Sequence, residues 1–381
     1  MEGRAIGADV YIPAGTYLLA RKINFNPEEK EAEPLNPETF YDWQNITIYG
    51  DGWGTVFNGS TRKASDTFNL YCVKNLHFRG FSVTNNIEEL ASSTSGSNTI
   101  SVVNGENISF TNIKAFDATG VEKYGWFDGG KGFTVQSSYA KDIFFTNCYA
   151  YNCPSGFLMQ YDNRPSTNIV IEECKAEKCQ EGLFLGWALG RIRGEDHTSV
   201  IVNMDITNCM VGYREENAEG VKATIHIRNT QQLKKLRKNA NGSQWLQMDS
   251  LSEARQSCYA CFLYGSCFSY ITVDIHARQL NNVVLFDNYD PQASFSNGDN
   301  KFFISMNPNI RIVKNPVHKR LGEGKLPERK IFMAPETQTH ILFRNSEITF
   351  NGIKVEDLPQ QMLVNGRNNI IAIGDRMLLR E

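Results

Sequence analysis

Apolar and polar positions alternate through most of the chain, and the alternation slips at regular places. Five segments carry the pattern: Asn75-Leu76-His77-Phe78, Asn107-Ile108-Ser109-Phe110, Asp142-Ile143-Phe144-Phe145, Asn168-Ile169-Val170-Ile171 and Asn203-Met204-Asp205-Ile206. Five residues past each opening residue stands Gly80, Asn112, Asn147, Glu173 or Asn208. At six and eight past it the side chains are small or apolar again: Phe81 and Val83, Ile113 and Ala115, Cys148 and Ala150, Cys174 and Ala176, Cys209 and Val211. A period of two predicts strands, and the slip predicts a bend after which the inward face resumes. Gly and Asn suit such a bend because they tolerate left-handed backbone angles.

The opening residues 75, 107, 142, 168 and 203 are spaced by 32, 35, 26 and 35 positions, a period that signals a solenoid. No stretch carries a sustained 3.6-residue apolar stripe, which excludes a helical repeat. A further strand is read in Gly132-Phe133-Thr134-Val135-Gln136, Gly156-Phe157-Leu158-Met159-Gln160, Gly182-Leu183-Phe184-Leu185-Gly186 and Gly212-Tyr213-Arg214-Glu215-Glu216. The expected fold is therefore all-β: a single-stranded right-handed parallel β-helix with three strands per coil and loop insertions, forming one elongated domain over 1–381. A late copy of the spacing, Ile348 to Val355, extends the coil toward the C-terminus. Residues 230–264 form an excursion, with a helical reading for the basic run Gln231 to Lys238 and a short helix for Ser252 to Tyr264. In the early coil Asn45-Ile46-Thr47-Ile48, Asp51 and Trp53 fall where apolar residues are expected.

Nine cysteines raise the question of disulfides. Cys148, Cys174 and Cys209 occupy one repeat-equivalent inward position, with Cys153 and Cys179 as a second row. Side chains stacked on parallel rungs about 4.8 Å apart point the same way, so free core thiols are expected, and with them folding in a reducing compartment. Cys258, Cys261 and Cys267 lack the second pair of a zinc-finger spacing, so no metal site is assigned to them. A net charge of −3 gives no broad basic surface for nucleic acid, and no apolar run is long enough to cross a membrane. The N-terminus from Met1 to Gly7 lacks the apolar core of a signal peptide.

Val10-Tyr11-Ile12-Pro13-Ala14-Gly15-Thr16-Tyr17-Leu18-Leu19 resembles the first coil of the pectate-lyase-like superfamily, where strand, Pro-x-Gly turn and strand follow a capping helix. Here that capping segment is missing or reduced to a few residues, which would leave open strand edges. Within the superfamily the chain is most similar to bacteriophage tailspikes and capsule depolymerases. The resemblance implies a homotrimer in a virion tail, folded in bacterial cytoplasm, that binds and cuts bacterial surface polysaccharide. It also implies a groove along the outward face of one ladder, or between subunits.

On the strands beginning at Gly132, Gly156, Gly182 and Gly212, alternation turns Thr134, Gln136, Leu158, Gln160, Phe184, Gly186, Arg214 and Glu216 outward. Gln136 and Gln160 suit sugar hydroxyls. The flanking loops supply Tyr124, Trp126, Tyr161, Trp187, Arg191, Arg193 and His197, where indole stacking and guanidinium pairing suit an acidic sugar. Hydrolysis needs two carboxyl groups across the scissile bond, and the candidates are Asp128, Asp162, Asp196, Glu215 and Glu216. Glu195 lies in the same loop. Strict alternation turns Glu215 inward; either it slips there or Glu215 is buried with a partner such as Arg214. Two alternatives stand beside hydrolysis. One is β-elimination, with Arg191, Arg193, His197, Tyr161 and Tyr124 in place of a metal, or Ca²⁺ held by Asp162 and Asp196. It would suit a secreted polysaccharide lyase. The other is a noncatalytic receptor-binding or structural tail protein.

Overall fold

The computed structural model describes residues 7–28, 33–60, 66–86, 97–123, 126–161, 167–186, 200–209, 211–216 and 220–230, and beyond them backbone strands as far as Arg376–Arg380. Among these residues there is no α-helix, only strands and two single-turn 3₁₀ segments, Pro37–Thr39 and Gly52–Gly54. No helix among them is long and apolar enough to cross a membrane.

The strands stack in parallel ladders, and the fold is a parallel β-helix. Ladder A aligns Ile46, Leu76, Ile108, Ile143, Ile169, Val200 and Val221. Its backbone continues through Tyr270–His276, Lys301–Met306, His340–Phe343 and Ile370–Ile373. Ladder B runs through Gly15–Leu18, Thr55–Asn58, residues 81–84, residues 113–116, Tyr149–Tyr151 and residues 174–177. Ladder C aligns Phe68, Ile100, Phe133, Phe157, Leu183, Tyr213 and the backbone of Cys261.

Single left-handed residues make the corners, as the sequence pattern predicts. Asn75, Asn107, Asp142 and Asn168 have φ of 57°, 51°, 54° and 57°, and the bend residues Gly80, Asn112, Asn147 and Glu173 have 67°, 54°, 51° and 53°. The corner side chains bond along the axis: Asn107 Nδ2 donates to Asn75 Oδ1 at 2.8 Å, and Asn168 Nδ2 to Asp142 Oδ1 at 2.6 Å. Such ladders pair the corner side chains with one another, so that polar groups repeated at the corners satisfy each other along the axis. A third set of corners, Asp117, Asn152, Lys178 and Asn208, is also left-handed.

The core is a column of apolar rungs. Phe78, Phe110 and Phe145 stack nearly parallel, with centroids 5.1 and 5.0 Å apart, and Phe133 stacks on Phe157 at 4.7 Å. Each such ring removed from water contributes about 1.5–3 kcal/mol. Gly132 and Gly156 are required for close approach: a Cβ on either would lie 2.7 Å from a backbone carbonyl of the next coil.

The register of the fifth segment differs from the sequence reading. Ile169 pairs with Val200, and Cys174 with Met204, so Asn203 sits at the bend and is not an opening residue. The coil from Val200–Cys209 passes that bend with one residue fewer and no left-handed residue, because its alternation from Val200 to Ile206 is unbroken. The thiol rows change accordingly. The Cys148 amide lies 3.4 Å from Cys174 Sγ, and the Cys179 amide 3.4 Å from Cys209 Sγ, so Cys209 belongs with Cys179. Cys72, Cys148, Cys153, Cys174, Cys179 and Cys209 are buried thiols outside any disulfide. Burial pushes the thiols of Cys148, Cys153 and Cys179 well up, so they are packing groups and not nucleophiles.

In the excursion, the described parts of both helical readings, Lys235–Lys238 and Tyr259–Tyr264, are strands, and residues 231–234 and 252–258 lie outside the described residues. Lys235–Lys238 pairs antiparallel with Gln244–Leu246, and Tyr259–Tyr264 rejoins ladder C beside Val211–Glu216. The sequence Tyr-Ala-Cys-Phe-Leu-Tyr is rich in aromatic strand formers, which explains the second case. In the late copy, Thr349–Phe350 stacks in parallel on Arg311–Ile312 and pairs antiparallel with Ile353–Lys354.

Candidate functional site

The expected groove face is the outer side of ladder C. Its first outward row aligns Asn69, Ser101, Thr134, Leu158, Phe184 and Arg214. This row is covered: Thr134, Leu158 and Phe184 are 0%, 4% and 6% exposed. The expectation that Thr134, Leu158 and Phe184 face solvent is therefore corrected; they point away from the core yet are buried. The hydroxyl of Thr134 has no hydrogen-bond partner among the described residues.

At one end of the row, Arg214 lies with its guanidinium 4.5 Å from the Phe184 ring centre and pairs with the Glu181 carboxylate. Ser155 donates to the other Glu181 oxygen at 3.0 Å. With side chains only 12% and 3% exposed, Arg214 and Glu181 form a nearly dehydrated ion pair. This explains why Arg214 does not serve Glu215. Alternation does not slip: Glu215 is inside the coil, fully buried, and accepts a hydrogen bond from the Tyr213 hydroxyl. A carboxylate within the core is off the groove face, which removes Glu215 from the groove candidates.

The second outward row aligns Val103, Gln136 and Gln160, each half-buried, followed by Gly186 and the backbone of Glu216. Gln136 and Gln160 stand on adjacent rungs, as the sequence implies. Trp126 and Asp128 lie on a hairpin, Trp126–Asp128 paired antiparallel with Val121–Lys123. Tyr161 ends its strand opposite Ser137 by backbone pairing. Tyr124, Asp162, Trp187, Arg191, Arg193, Glu195, Asp196 and His197 lie outside the described residues.

Sequence reasoning missed Asp66, which precedes ladder C at the edge of the same face. Its Oδ1 accepts from the Asn98 amide at 3.1 Å, and the Ser101 hydroxyl also favours the ionised form. Burial outweighs these bonds and the nearby charges of Lys131 and Lys22, so its pKa is raised from the ordinary aspartate value. A carboxyl whose pKa is raised keeps its proton to higher pH than an ordinary aspartate, which is the direction a proton donor requires. No alternation signal marks Asp66, since it sits outside the strand. Among the described residues no three His, Cys, Asp or Glu side chains converge as a metal site requires.

No family model and no curated protein matches the chain. Solved structures of similar shape include the N-terminal fragment of the bacteriophage Phi29 gene product 12, at TM-score 0.45 and 12% identity over 98% of this chain and 62% of that one. The catalytic unit of a GH87 α-1,3-glucanase from Streptomyces thermodiastaticus gives 0.43 and 13% over 97% of this chain and 64% of that one. The A-module of the Azotobacter vinelandii mannuronan C-5 epimerase AlgE4 gives 0.40 and 15% over 97% and 93%. The chain thus spans less than two thirds of the length of the first two.

Proposed function

We propose that the chain binds bacterial surface polysaccharide along the outer face of ladder C and cleaves it by glycoside hydrolysis, as a tailspike-like depolymerase that works as a homotrimer on the virion tail. The observation that carries this reading is the pair Gln136 and Gln160, half-buried amides repeated at the rung spacing on the one outer row of that ladder left partly open. Amides at about 4.8 Å intervals present donors and acceptors to successive hydroxyls of an extended sugar chain. Asp66, with its raised pKa, is the proposed proton donor. The second carboxylate is sought among Asp128, Asp162, Asp196 and Glu216, and the aromatic and cationic loop residues Tyr124, Trp126, Tyr161, Trp187, Arg191, Arg193 and His197 are proposed to hold the substrate.

The test separates binding from cleavage. Gln136→Ala with Gln160→Ala should weaken binding of the cognate polymer about tenfold, while Asp66→Asn should abolish cleavage with binding intact. Asp162→Asn and Glu216→Gln then identify the second carboxylate. If all these variants cleave and bind like the parent, ladder C is not the working face.

A further inference from the structure

A different face, the outer side of ladder B, carries an aromatic platform around one lysine. Gly80, with a left-handed φ of 67°, lets the Gly52–Gly54 turn lie directly on the coil, since a Cβ there would sit 3.0 Å from the Gly50 carbonyl. This turn lays Trp53 over the ladder, its indole nitrogen donating to the Asn112 carbonyl at 3.1 Å and its own carbonyl accepting from Ser82 at 3.0 Å. Trp53 meets Tyr149 at 5.7 Å between ring centres, and Tyr149 meets Tyr151 at 5.9 Å. Phe116 and Tyr151 are neighbours on adjacent rungs.

The Lys114 ammonium sits among these rings, 5.0 Å from the centre of Phe116, 5.6 Å from Tyr149, 5.6 Å from Tyr151 and 5.9 Å from Trp53. Glu177, the nearby acid, is bonded instead to the Tyr149 hydroxyl at 2.8 Å, and Lys178 bonds the Tyr151 hydroxyl at 3.0 Å. Among the described residues Lys114 forms no ion pair. Trp53 is 42% exposed, so the platform is open to solvent.

We infer that this platform is a second glycan-binding site, selective for an acidic sugar unit whose carboxylate pairs with Lys114 while its ring stacks on Trp53 and Tyr149. Ring faces bind the C–H face of a pyranose, and the lysine supplies the counter-charge that a neutral sugar would leave unused. The inference is independent of cleavage, because the platform stands on a different ladder from Gln136, Gln160 and Asp66.

The test is calorimetric titration of the whole chain with oligogalacturonate, oligomannuronate and a sialic-acid oligomer, and with maltohexaose as the neutral control. Binding of at least one acidic probe, at least tenfold tighter than maltohexaose, is expected. Lys114→Gln should lose most of that preference, and Trp53→Ala should lose binding to every probe. Unchanged melting of Lys114→Gln and Trp53→Phe separates site loss from misfolding. The inference is overturned if none of the acidic probes binds, if maltohexaose binds equally well, or if Lys114→Gln keeps the preference. It is also overturned if Trp53→Ala alters the oligomeric state in sedimentation with no sugar bound by the parent, since a second copy of the chain would then own the platform.

Discussion

The outer faces of ladders B and C are built by the same alternation over one apolar column, and they meet different surroundings. On ladder C the first outward row, Thr134, Leu158 and Phe184, is buried and ends in the Arg214–Glu181 ion pair. On ladder B the outward side chains Trp53, Lys114, Tyr149 and Tyr151 remain at least partly open. Alternation decides which way a side chain points from its strand. Whether that direction leads to water depends on what lies over the ladder, which is not a local property of the sequence.

Substitutions can break the contrast. Arg214→Ala should cost about 3–5 kcal/mol in denaturant unfolding, because the buried Glu181 charge is left uncompensated, and the pair Arg214→Met with Glu181→Leu should recover most of it. If Arg214→Ala costs no more than a surface substitution, the ion pair is not dehydrated. Leu158→Asp on the covered face should cost about 3 kcal/mol, against about 1 kcal/mol for Phe116→Asp on the open one. Equal losses would erase the distinction between the two faces. Thr134→Val should stabilise by about 1 kcal/mol by removing a buried hydroxyl without a partner; a loss would mean that the hydroxyl is in fact satisfied.

Ladder A gives the smallest effect and an intermediate case. His77 is half-buried on its outer side, its Nδ1 2.8 Å from the Ser109 hydroxyl, and burial lowers its pKa against the opposing pull of Asp9. The folded state then binds the proton less readily than the unfolded chain. Stability from this group is complete above the unfolded value of about 6.5 and declines as pH falls through it toward the lower folded value. His77→Gln should flatten that slope slightly. An NMR titration that places the His77 pKa above the unfolded value would reverse the sign.

Much of the fold is legible in the sequence because corners and core repeat locally. Asn75, Asn107, Asp142 and Asn168 mark left-handed turns, and the apolar positions between them form the rungs. The reading fails where one residue is dropped from a bend, since Asn203 looks like an opening residue and is not. It fails again at Asp51 and Trp53, where an inserted turn carries both outward and yields the platform. Glu215 was legible as inward, but its partner was not: Tyr213, two residues back on the same face of the strand, holds it, while Arg214 points to the other side. Of the candidate site, the adjacency of Gln136 and Gln160 was readable from repeat spacing. The burial of their neighbours and the raised pKa of Asp66 arise from packing between coils.

The central claim is that this β-helix cuts the polysaccharide it binds by adding water. Its most direct test is mass spectrometry of the soluble products after incubation with a panel of bacterial capsular and wall polysaccharides. The account predicts oligosaccharides carrying one added water per cut, absent when Asp66 is replaced by Asn. Unsaturated products lacking that water, or a polymer that is bound and never shortened, would contradict it.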